Sequence, residues 1–315
     1  MPVPLLDLIH PSAWTPWSAA VSFLVGLSVG GFVIALPGRG FGVPSWQRAS
    51  RLGLLLALAA GFAAPPCMLA ALARPDRVGL LYSRPDGSSW LGTGAVLVPC
   101  YLAALVMFAW TSMRRELAAA EGNGWLARLH RGAALGGGSA VALRQVAMLA
   151  GIGLAVGVML ATGAELQPAW NSALLPWHLT VTALAASLGA VLVLDRVVAG
   201  GRDAATTEML GRIAAGVLVL GMLLGRESWG SPAMAAAGWS LVVALVWGDR
   251  LGWLVGLLAL AAAWVVRWNF VTAGADWDGG RLLLAPAGMA GLLVVLLVTI
   301  AALAPVMGPR RAGDA

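Results

Sequence analysis

A small set of polar side chains in this 315-residue sequence has the types needed to move protons and hold a polar ligand. They are His10; Arg74, Asp76, Arg77 and Tyr82, inside the stretch ALARPDRVGLLYSRPDGSSW at 71–90; Glu165, Gln167 and Asn171; His178; and Arg267 with Asn269. Histidine titrates closest to neutral pH and so can both give and take a proton. Carboxylates and tyrosine extend such a network, while arginine donates several N–H groups in a fixed fork. Metal chemistry has no comparable set. Cys67 and Cys100 form no CxxC pair and read as small core hydrophobes. The chain therefore holds no iron–sulfur cluster of its own.

The rest of the sequence says where these residues must sit. It is 60% hydrophobic and only 11% charged, with a mean hydropathy of +0.85. A soluble domain carries about 25% charged residues, so the composition is that of an integral membrane protein. All 20 basic residues are arginine, and they are scattered between apolar runs rather than gathered into a nucleic-acid-binding face. Apolar runs long enough to cross a bilayer of about 30 Å lie near 14–36, 52–73, 90–112, 142–163, 174–194, 209–225, 232–248, 251–270 and 283–306. The expected fold is an all-α polytopic transmembrane helix bundle of nine spans, or eight if the runs flanking Gly248–Arg250 merge. Residues 1–308 form one domain and 309–315 a disordered cytoplasmic tail. The first run is long enough to stay as an anchor, with no basic region ahead of it to mark a cleaved signal.

Nine spans place fourteen of the arginines on one side, among them Arg39, Arg48, Arg51, Arg114, Arg144 and Arg196. Positive charge marks the cytoplasmic side, so the N-terminus is expected outside and the C-terminus inside. Tryptophans near the span ends, such as Trp17, Trp90, Trp170 and Trp268, fit rings that prefer headgroup depth. On this frame the polar residues gather at the outer face. Taken singly, His178 reads as an interfacial residue, Glu165 as a solvated loop acid, and Arg74 and Arg77 as snorkelling cations. Arg267 is harder to dismiss, because charge within a span is costly and turns toward a cavity or partner. Taken together, they suit a quinone head at headgroup depth. It needs donors to two carbonyls, from Arg74, Arg77, Tyr82, His178, Arg267, Asn269 and His10, and protonatable groups, from His178, Glu165 and Asp76. A bis-histidine haem is not expected: His130 falls on the opposite side and His10 precedes its helix.

Four stretches resemble one family. PWSAAVSFLVGLSVGGFVIAL at 16–36 is similar to a glycine-rich first helix, and LARPDRVGLLYSRPDGSSWLGTG at 72–94 to an Asp-Leu-Gly-Arg-Pro motif followed by Ser-Trp. NSALLPWHLTVTALAASLG at 171–189 is similar to a fifth-helix signature, and RWNFVTAG at 267–274 to the close of a late helix. The sequence thus resembles the polysulfide-reductase membrane subunits, the NrfD- and PsrC-like family of integral, quinone-interacting subunits of respiratory oxidoreductases. The resemblance implies a bacterial inner-membrane anchor exchanging electrons between menaquinone or ubiquinone and a four-cluster ferredoxin-like iron–sulfur subunit. That partner would serve a molybdopterin catalytic subunit on the periplasmic face. The family's arginine and proline correspond to Arg74 and Pro75. Its aspartate and glycine are Ala71 and Ala73 here, so Asp76 or Glu165 would have to supply the acid. Nine spans point to the branch with tetrathionate- and arsenate-reductase-like anchors.

Two other classes compete with this reading. A purely structural anchor would hold the same complex without touching electrons. A secondary transporter would place charge or broken helices near the midplane, where Pro65, Pro66 and Pro99 offer the breaks but no charge accompanies them. The apolar gap between the outer cluster and Asp195, Arg196, Asp249 and Arg250 predicts no proton pumping.

Overall fold

The computed structural model describes residues 16–71, 78–83, 90–114, 137–170 and 175–198, together with Met209, Ile213 and Gly216 and with 253–254, 256–261, 263–264 and 267–268. Every regular element among the described residues is helical. The long helices are α1 (Pro16–Ala35), α2 (Gln47–Ala71), α4 (Trp90–Ser112), α5 (Gly137–Trp170) and α6 (Leu175–Val198), with a six-residue helix α3 (Val78–Ser83) between α2 and α4. Five stretches are long and apolar enough to cross a membrane: Trp17–Gly40, Pro44–Ala70, Gly92–Ser112, Gly138–Thr162 and His178–Val197. They coincide with the first five runs expected from sequence. The described positions between 209 and 216 and between 253 and 268 are helical too. The runs at 232–248 and 283–306, the tail 309–315, and His10, Arg74, Asp76, Arg77, Asn171 and Asn269 lie outside the described residues.

Helix α1 is the centre of the assembly. It packs on α2 and α6, while α4 lies along α5 and α5 meets α6. In lipid, apolar side chains gain little by choosing another helix over an acyl chain, so close backbone approach has to supply the attraction. Small residues make that approach here. A Cβ at Gly31 would lie 2.8 Å from the Gly53 carbonyl oxygen of α2, and one at Gly189 2.6 Å from that of Gly256. Larger side chains fill the remaining space, with Phe32 edge-on to Phe108 at 5.4 Å.

Several details depart from the expected loops. Helix α2 begins at Gln47, bringing Arg48 and Arg51 into its first turns, after a π-helical turn at Leu36–Gly40 and a 3-10 turn at Pro44–Trp46. Helix α5 runs through to Trp170, so Glu165 and Gln167 belong to its last turns rather than to a loop. Pro65, Pro66 and Pro99 lie inside continuous helices, so the described chain has no broken span at these prolines. Cys67 is buried as expected, but Cys100 is exposed on the outward face of α4.

The ends of the bundle are distinct. Seven arginines have described side chains, and six of them gather at one end. Two contacts fix that arrangement: Arg48 Nε pairs with Asp195 Oδ1 at 2.6 Å, joining the start of α2 to the end of α6, and Arg39 Nη1 donates to the Ser112 carbonyl, joining the end of α1 to the end of α4. Arg267, the seventh, lies toward the other end.

Candidate functional site

The site at that other end is built from α1 outward. Ser22, Gly26 and Gly30 recur at four-residue spacing, which puts them on one face of α1. Ser22 lies six residues beyond the start of α1, a depth of about 9 Å. Arg267 lies across this face with its side chain fully buried. Its Nη1 donates to the Ser22 carbonyl and, at 2.9 Å, to the Ser22 hydroxyl. Its Nη2 donates to the Leu179 carbonyl of α6 at 2.6 Å. Both carbonyls lie within helices, so each offers a lone pair beyond the one engaged along its own helix axis. A buried cation is tolerated when such acceptors replace its water. Among the described residues, Nε finds no acceptor.

The seat depends on a missing side chain. A Cβ at Gly26 would stand 2.6 Å from Arg267 Nη2 and 2.8 Å from Cζ. Four residues further along, a Cβ at Gly30 would collide with Ser187 of α6, whose hydroxyl donates to the Leu27 carbonyl. Aromatic rings close the surroundings. Trp264 meets Phe23 edge-on at 5.3 Å and stacks obliquely with Trp268 at 6.0 Å. Trp268, expected at the interface, is buried because it shares the inward face of its helix with Trp264.

His178 is buried in the first turn of α6, and it directly precedes the residue whose carbonyl holds Arg267. Its own carbonyl accepts from the Thr182 hydroxyl at 2.9 Å. The structure therefore places His178 and Arg267 at one depth on adjoining elements. Tyr82 is not part of that buried pair: it stands on α3 and is half exposed. Glu165 is positioned at the same end by the run of α5, and nothing further is described for its side chain.

Sequence reasoning missed two contributors to the site and a buried tyrosine outside it. Ser22 and Gly26 were readable as a small-residue stripe, Gly26 and Gly30 forming a GxxxG pair. Tyr101 was overlooked in favour of Tyr82. It is buried, with its hydroxyl 3.1 Å from that of Ser28, which donates to the Ala57 carbonyl. Ser28 lies about 18 Å along α1, near mid-depth. The gap between the two ends thus holds uncharged hydroxyls rather than purely apolar groups.

A family model described as polysulphide reductase, NrfD, matches residues 9–260. The chain belongs to the NrfD family. The NrfD match takes in α1 to α6, including Ser22, Gly26 and His178, and stops short of Arg267. The search of curated proteins finds no match. Family and apolar helices agree on a multi-pass membrane protein, and membership of the NrfD family makes it the membrane subunit of a respiratory oxidoreductase.

Proposed function

We propose that this subunit binds quinone or quinol at the end of the bundle that holds His178 and Arg267. There it would pass electrons between the membrane pool and an iron–sulfur partner docked above. The observation that carries the reading is the bond from Arg267 to the carbonyl of Leu179, next to a buried histidine, within about two turns of the helix ends. The fit to a quinone head is chemical: an imidazole, a guanidinium with one N–H left over among the described residues, and a buried aromatic wall beside them. Arg267 itself spends both Nη groups on helix carbonyls, so it acts mainly by holding α1, α6 and the late helix in register around the histidine. His178 is the proposed proton carrier. Arg74, Arg77, Asp76, Tyr82, Glu165, Asn269 and His10 complete the expected outer polar set, with a molybdopterin subunit behind the iron–sulfur protein.

The arginine-rich end is proposed to face the cytoplasm, since positive charge is retained there. The partners would then sit on the periplasmic side of a bacterial inner membrane. The proton chemistry proposed at His178 is scalar, without pumping.

The test is quinol-linked turnover by the assembled complex in native membranes, compared with turnover using a soluble dye that bypasses the quinone. His178→Ala should lower the quinol-linked rate by about 100-fold, the scale of a lost acid–base group, while dye-linked turnover stays intact. Full quinol-linked activity in both His178→Ala and Arg74→Ala would point to a structural anchor with the quinone site elsewhere.

A further inference from the structure

The opposite end of the bundle carries a feature that electron transfer does not use. Arg39 lies in the π-helical turn after α1 and reaches the carbonyl of Ser112, the last residue of α4. Arg114 follows two residues later. A Cβ at Gly40 would lie 2.6 Å from Met148 Sδ, so the same turn also rests on α5. Arg144 precedes Met148 by four residues and shares that face of α5. The contacts of this turn with α4 and α5 thus bring the three elements that carry these arginines to one corner. All three arginines are half-buried, and Arg144 Nε has no acceptor among the described residues.

From this corner we infer a binding site for the headgroup of an anionic phospholipid. Guanidinium forks match the paired oxygens of a phosphodiester, and half-burial strengthens the attraction beyond that of a free surface charge. Phe41, beside Gly40, and Val141, one turn before Arg144, are exposed at 65% and 46%. Apolar side chains next to the cations at the end of the spans suit a lipid, with its phosphate and chains together, better than a free phosphate ion. Basic pockets between membrane helices take such headgroups.

The test uses the full-length protein in a neutral detergent, with retained lipid counted by native mass spectrometry during titration with phosphatidylglycerol or phosphatidylcholine. Phosphatidylglycerol should bind saturably and phosphatidylcholine should not. Arg144→Gln should weaken binding about fivefold, the equivalent of ~1 kcal/mol per arginine. Arg39→Lys, which keeps the charge but loses the fork, should weaken it less. Arg196→Gln removes an exposed arginine from the same end, outside the corner, and should leave binding unchanged. Melting curves recorded without lipid identify any variant that has lost its fold. Equal losses in Arg196→Gln and Arg144→Gln would overturn the proposal, as would equal binding of the two lipids. Displacement of the lipid by millimolar inorganic phosphate would also overturn it, in favour of a simple anion site.

Discussion

Arg267 shows what one buried charge demands of its neighbours. Its guanidinium needs oxygen acceptors in place of water, and it finds them on the backbones of α1 and α6 and on the Ser22 hydroxyl. It also needs room, which Gly26 leaves open. Gly26→Ala should therefore act like a mutation of Arg267 itself. The added methyl must displace a guanidinium bonded to two helices, costing about 1–3 kcal/mol as overpacking does. A lower melting temperature of the detergent-solubilised protein, together with a fall in quinol-linked turnover, is the expected result. Arg267→Lys keeps the charge, but a single ammonium lacks the planar fork that reaches Ser22 and Leu179 together. It should lose stability and only partly preserve turnover. Charge alone would suffice if Arg267→Lys melted with the parent protein.

At the scale of elements, helix pairing is decided by contacts that cross long stretches of sequence. Arg48 and Asp195 are separated by 147 positions and form a 2.6 Å pair, with Asp195 nearly inaccessible and Arg48 partly exposed. Removing the arginine leaves a buried carboxylate, whereas removing the acid leaves an arginine that can still reach water. Arg48→Ala should thus destabilise the protein by about 3 kcal/mol, and Asp195→Asn by less. Thermal unfolding of the two single variants and the double variant measures this asymmetry, and equal losses would mean that desolvation of Asp195 is not the governing cost. The elements themselves were legible beforehand, because about 20 apolar residues per span is a length set by the bilayer. Their ends were less so. The α5 terminus passed over Glu165 and Gln167 because polar residues at a helix end can stay helical where headgroups and water solvate them.

For the molecule as a whole, the polarity of the bundle follows from its arginines. If the arginine-rich end is cytoplasmic, alkaline phosphatase fused within 115–136 should be inactive in a bacterial host, and the same enzyme fused within 72–77 should be active. The reverse pattern would invert the proposed orientation. Quinol-driven proton movement in vesicles should match scalar chemistry, since the mid-depth hydroxyls of Ser28, Tyr101 and Ser187 carry no charge. The sequence alone determined the membrane class, the first five spans, the uneven distribution of arginine and the NrfD resemblance. These depend on composition, on run length and on short local motifs. Tertiary structure decided that His178 and Arg267 share one depth, that Tyr101 rather than Tyr82 is the buried tyrosine, and that Trp268 turns inward. It also decided that the turn carrying Arg39 rests on the end of α4 and on α5. No local pattern encodes such facts, because each depends on which faces of distant helices meet, and that is settled by the close approach of glycines such as Gly26, Gly31 and Gly189.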